Sequence, residues 1–222
     1  MRKTMMAFAL GAVLLILAMP WKEANAAIET GVQIGPIIGT PSVDGDLIVY
    51  RVSEALGGID LNDDSDTSDY VIHVVSVGET EPTNLGVAGD IDNIASGIVT
   101  MTIRESFQRS DLNGDGDQSD VVLFVYDAAT GAVTNLGLPV YQDYYSYTPD
   151  VNIAHGNLYF SVSERSAGSD LNADGDSVDN VVHIYNLATG VVTNTGFAGN
   201  GMQVDDTAGL MVVYESQQGT DY

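Results

Sequence analysis

The chain contains no cysteine. That removes disulfide staples, thiolate metal ligands, a thiol nucleophile and a lipid-attachment cysteine at once. No lysine follows Lys22, and the only cations beyond it are Arg51, Arg104, Arg109 and Arg165. A lysine nucleophile is therefore excluded too, and a surface so poor in cations repels nucleic acid and anionic lipid. No G-x-S-x-G, H-E-x-x-H or glycine-rich phosphate loop occurs. With these pieces missing, no catalytic constellation can be assembled from the sequence, and an enzymatic role is not expected.

Helical periodicity is confined to the N-terminus. Met1, Arg2 and Lys3 precede an apolar run from Met5 to Met19, followed by Ala24-Asn25-Ala26. A basic start, a short apolar core and an A-x-A site read as a signal peptide over residues 1–26. The run is shorter than the roughly 20 residues a membrane-spanning helix needs, so an uncleaved anchor is the weaker reading. The expected protein is secreted, extracellular or periplasmic, with no membrane insertion after cleavage. Its mature part, residues 27–222, keeps four arginines against thirty acids, a formal charge of −26. A salt-loving habitat would explain acidity but not clustering, and here the acids cluster.

They cluster because the chain repeats. "DLNDDSDTSD" (Asp60–Asp69), "DLNGDGDQSD" (Asp111–Asp120) and "DLNADGDSVD" (Asp170–Asp179) are each followed by an apolar run and then a Thr-Asn pair: Thr83-Asn84, Thr134-Asn135, Thr193-Asn194. The step from first Asp to Thr is 23 residues every time, and a glutamate (Glu54, Glu105, Glu164) stands six residues before each loop. Within each unit, runs rich in Val, Ile, Tyr and Thr are punctuated by Gly, Asn, Asp and Ser, which gives four short strands. In the first unit they fall near Gly39–Val43, at Leu47–Glu54, at Tyr70–Val77 and near Glu81–Leu85. Units of about 50 residues with four strands each predict an all-β chain of β-propeller blades. The propeller domain would cover 27–222, with repeats at about 36–86, 87–137, 138–196 and a truncated 197–222.

The stretches "VDGDLIVYRVSE", "VVLFVYDAATGAVTNLG" and "GNLYFSVSERS…VVHIYNLATGVVTNTG" resemble the TolB-type, WD-like propeller repeat, over nearly all of Gly31 to Tyr222. The resemblance implies four-stranded antiparallel blades and says little about activity. The acidic loops depart from it, being longer than the family's usual hairpin. They are similar instead to the calcium loops of integrin-type propellers, with one extra residue before the last Asp.

Calcium takes 6–8 oxygens in flexible geometry. Positions 1, 3 and 5 of the loops supply three oxygen side chains, and positions 7 and 10 two more. The candidate ligands are Asp60, Asn62, Asp64, Asp66 and Asp69 in the first loop; Asp111, Asn113, Asp115, Asp117 and Asp120 in the second; Asp170, Asn172, Asp174, Asp176 and Asp179 in the third. Gly116 and Gly175 sit at position 6, where the chain must bend, but the first loop has Ser65. Position 12 is Val71, Val122 or Val181 inside a strand, which excludes the helix-loop-helix sensor site. The alternative is a set of solvated Asp-rich turns. The glutamates Glu54, Glu105 and Glu164 are either further ligands or exposed strand-end acids.

His73 and His183 align with Phe124 and so read as packing residues; His155 aligns with Asp44 in a turn. The segment "YQDYYSYTPD" interrupts the repeat, and Tyr141, Tyr144, Tyr145 and Tyr147 could share a rim with the calcium loops and stack on a glycan or protein ligand, or cover a blade interface. At the C-terminus Glu215 and Asp221 restart the pattern, and Glu29–Gly35 resembles a closing strand. These ends suggest an incomplete ring of three full blades plus partial ones. The expected function is a Ca2+-binding propeller serving as a binding or scaffold module. Alternatives are the propeller domain of a larger extracellular hydrolase, or a TolB-like periplasmic partner protein.

Overall fold

The computed structural model describes residues 36–140, 151–199, 201–205 and 210–214. The signal peptide, Glu29–Gly35, the tyrosines 141–147, Glu215 and Asp221 lie outside the described residues. The rest is all-β with antiparallel pairing throughout and three single-turn helices, in two compact units that divide after Val87.

The first unit holds β1 (Ile37–Asp44), β2 (Leu47–Ser53), β3 (Tyr70–Ser76) and the start of β4 (Thr83–Ala95). β2 and β3 pair without a slip from Leu47↔Ser76 to Ser53↔Tyr70. Leu47, Ile48, Val49 and Tyr50 are all buried. A half-exposed strand alternates, so four consecutive buried residues mean that β2 is covered on both faces. Between β2 and β3 lie helix α1 (Glu54–Gly57) and the first acidic loop.

The second unit repeats this plan twice. The rest of β4, β5 (Ile98–Arg104), helix α2 (Glu105–Gln108), β6 (Val121–Asp127) and β7 (Ala132–Pro139) are followed by β8 (Val151–Ala154), β9 (Asn157–Ser163), helix α3 (Glu164–Ala167), β10 (Asn180–Asn186) and β11 (Val192–Ala198). A hairpin, β12 (Gly201–Asp205) with β13 (Leu210–Tyr214), comes last. Leu123 and Val125 of β6 share one apolar cluster with Leu158, Phe160 and Val162 of β9, and Ala167 and Leu171 pack against it. This packing joins the second repeat to the third.

Two features differ from the sequence reading. The closing strand of the first repeat and the opening strand of the second are one continuous strand, β4. Its chain stays extended through Gly89, where an added Cβ would collide with the Thr102 carbonyl and push β4 off β5. A bulge beyond it, between Ile91 and Asn93, sets Asp92 out of the ladder. The second difference is that each glutamate begins a helical turn rather than ending a strand. Ser53 and Ser163 cap two of these turns by accepting from Leu56 N and Ser166 N.

Candidate metal centre

The three acidic loops have one architecture, built from the glutamate outward. Glu54, Glu105 and Glu164 are 0% exposed. Of the two readings, further ligand or exposed strand-end acid, the second is overturned, and each carboxylate ties both ends of its loop. Glu54 Oε1 accepts from Leu61 N (2.5 Å) and Oε2 from Asp69 N (3.0 Å). Glu105 accepts from Leu112 N (2.6 Å), Asn113 N (3.3 Å) and Asp120 N (3.0 Å). Glu164 repeats the set with Leu171, Asn172 and Asp179. The backbone returns the contact, as Glu54 N, Glu105 N and Glu164 N donate to the carbonyls of Asp69, Asp120 and Asp179.

The fixed 23-residue step has a matching cause. The Asn84 amide donates to Leu61 O at 2.7 Å, Asn135 to Leu112 O at 2.8 Å and Asn194 to Leu171 O at 2.7 Å. The same side chains accept from Gly86 N, Gly137 N and Gly196 N. The second loop residue is thus held through its N–H by the glutamate and through its carbonyl by the asparagine. An insertion within the acidic loop would disturb the glutamate clamp, which holds residues at both of its ends.

Inside the frame, the first Asp curls the loop. Asp60 accepts from Asp63 N and Ser65 N, Asp111 from Gly114 N and Gly116 N, Asp170 from Ala173 N and Gly175 N. The turn forces positive φ at position 6: 101° at Gly116, 106° at Gly175 and 78° at Ser65. The first loop carries a side chain there, and at position 4 Asp63 (62°) and Ala173 (66°) are also non-glycine residues at positive φ, so only the second loop makes the curl with glycine at both places. Asp64, Asp115 and Asp174 each accept from the backbone two residues on, as do Asp66, Asp117 and Asp176.

Of the candidate ligands, the structure groups the carboxylates of positions 7 and 10 with the glutamate. Ligand oxygens of Glu54, Asp66 and Asp69 lie within 4.8 Å of one another, and so do those of Glu105, Asp117 and Asp120, and of Glu164, Asp176 and Asp179. Position 1 faces backbone N–H groups. Asn113 and Asn172 bridge positions 5 and 10, donating to Asp115 and Asp120, and to Asp174 and Asp179. In the first loop Asp69 is 6% exposed and its Oδ2 is buried with no hydrogen-bond donor. Single oxygens of Asn62 and Asp64 are buried the same way, although both side chains make other contacts. A buried carboxylate oxygen without a donor costs about 1–3 kcal/mol or more, and a cation among these oxygens would remove the cost. The donor set is all hard oxygen, with no sulfur or imidazole, which suits calcium or magnesium rather than a transition metal.

Crowding shows in the ionisation. Burial first, then the charges of Asp64, Asp66 and Glu54, push Asp69 up to about 6 against the opposing Asn62 hydrogen bond. Burial and the hydrogen bond to Asp174 push Asp179 up to about 6. Asp120 is also raised, mainly by burial, while the N–H groups of Asp117 and Asp176 hold Asp115 and Asp174 below the usual carboxylate value. A raised carboxylate binds its proton more tightly folded than unfolded. Its stabilising contribution is complete below the unfolded value near 3.8 and is lost as pH rises through about 6. A bound cation requires the deprotonated form. The calcium-free protein should therefore lose melting temperature between pH 4 and 6.5, while calcium's stabilising effect grows over that window. Scanning calorimetry on dialysed protein at several pH values checks this; a calcium effect independent of pH would contradict it.

His73 and His183 pack as expected. They stack on Tyr50 and Phe160 at 5.9 and 6.0 Å, their Nδ1 atoms meet the carbonyls of Val71 and Val181, and burial lowers their pKa. His155 lies in a turn at φ 49°. One buried acid has no counterpart in the sequence reading. Asp92, on the β4 bulge, accepts from Thr102 Oγ1 at 3.1 Å and is raised well above the carboxylate range by burial, with Asp90 adding to the effect. Nothing in the motif pattern marks it, because the bulge that buries it is set by strand pairing. No family model matches the chain and no curated protein matches it.

Proposed function

We propose that this chain is an exported, calcium-stabilised β-propeller that serves as a binding or scaffold module, with an extracellular or periplasmic location and a glycan or protein ligand. The observation that carries the calcium reading is the first loop, where Asp69 Oδ2 is buried without a donor beside Asp66 and Glu54; the grouping of three carboxylates, though not the donor-less oxygen, recurs in the other two loops. The blade reading is supported by the strand plan, since each repeat runs antiparallel between sequence neighbours. It is also supported by β2, whose two buried faces suit a sheet stacked between others. The signal-peptide pattern of residues 1–26 carries the location.

In this reading the metal is structural. It neutralises the acids of each hairpin tip, and the ligand surface lies elsewhere on the rigid frame. Limited digestion with a calcium-independent protease that cuts after acidic residues tests it. Cleavage within residues 60–69, 111–120 and 170–179 should be strongly suppressed by millimolar calcium and only weakly by equal magnesium. Equal cleavage with and without calcium would overturn the reading.

A further inference from the structure

The three loops share one frame but are not closed to the same degree. In the first, Asn62 is 8% exposed and Asp64 and Asp66 are half-buried; in the others the matching aspartates, Asp115, Asp117, Asp174 and Asp176, are exposed. The closing aspartates differ as well. The Oδ2 atoms of Asp120 and Asp179 each accept from an asparagine amide, Asn113 Nδ2 at 2.8 Å and Asn172 Nδ2 at 3.1 Å. Those asparagines are engaged at their other end too, since Asn113 Oδ1 accepts from Asp115 N and Asn172 Oδ1 from Asp174 N. Asp69 is 6% exposed, and its Oδ2 is buried with no donor, beside carboxylate oxygens of Glu54 and Asp66.

The second and third loops are thus closed on themselves by side-chain amides. An ion entering either one has to displace the amide from the carboxylate oxygen it holds. An ion entering the first loop displaces nothing from Asp69 Oδ2 and relieves a buried oxygen that lacks a partner. We propose that the first loop is the resident calcium site of the chain, filling before the second and third loops and holding its ion more tightly. This rests on the calcium reading above and adds an order to it. Between the two steps of filling, residues 60–69 are locked while residues 111–120 and 170–179 still exchange calcium with the medium.

The backbone N–H groups of Ser65, Gly116 and Gly175 occupy the same position and each donates to the first Asp of its loop. Their NMR signals therefore report the three sites separately during a calcium chloride titration of the whole protein. The midpoint at Ser65 should lie about tenfold or more below those at Gly116 and Gly175, a difference of about 1.4 kcal/mol. Asp69→Asn, which keeps the side chain's size, should raise the Ser65 midpoint by about tenfold and leave the two glycines within about twofold, since distant sites respond independently. Should that variant fail to fold, the order of midpoints in the unsubstituted protein decides alone. Equal midpoints at the three positions, a later response at Ser65, or a Ser65 midpoint unmoved by Asp69→Asn would overturn the order of filling. No response to calcium at any of the three would overturn the calcium reading itself.

Discussion

Glu105→Ala is expected to lower the unfolding free energy by about 4 kcal/mol, more than any substitution among the loop aspartates. The truncation leaves the N–H groups of Leu112, Asn113 and Asp120 without their acceptor, and each buried donor so stranded costs about 1–3 kcal/mol. Glu105→Gln is expected to cost about half as much, because one amide oxygen can still accept while the amide NH2 faces a backbone donor. The same ordering should hold for Glu54 and Glu164, which share the geometry. By contrast Asp117→Ala removes an exposed side chain that holds Ser119 and should cost about 1 kcal/mol without metal. Urea unfolding of calcium-free protein separates these values. A loss under about 1 kcal/mol for Glu105→Ala would show that the glutamate does not anchor the loop.

Calcium removal is expected to have the larger effect on the whole molecule. A site held at 100 times its dissociation constant adds about 2.7 kcal/mol when the unfolded chain does not bind, so three such sites add about 8 kcal/mol. For a chain of this size each kcal/mol moves the melting temperature by about 2–4 °C. The expected drop is therefore on the order of 15–30 °C between saturating calcium and none. Magnesium should recover only a small part, since it demands a tighter octahedron and gives up its waters reluctantly. A drop of less than about 3 °C would mean that the loops hold no stabilising ion.

The strand plan was legible because it depends on local patterns: apolar runs bounded by turn residues, repeated in register. The candidate ligands were named from the same local pattern, but that pattern did not say which of them would gather: positions 7 and 10 meet the glutamate, while position 1 turns to backbone N–H groups. What holds the curl was visible only as spacing. Glu54 and Asn84 stood out through their fixed distances from Asp60, yet their partners are backbone atoms, and a backbone atom leaves no mark in the sequence. Burial of the glutamates was missed because an acid next to an acidic loop looks solvated, and three N–H groups converging on it appear only after the chain folds back. Asp92 was hidden more deeply, because it sits on a bulge of β4, a relation that has no sequence period.

The central claim is that each acidic loop is a calcium site. Isothermal titration of calcium into exhaustively dialysed protein at pH 7 tests it most directly. Saturable binding of three ions per chain is the expected result. Binding of no calcium, or only weak non-saturating heats indistinguishable from those of magnesium, would contradict it.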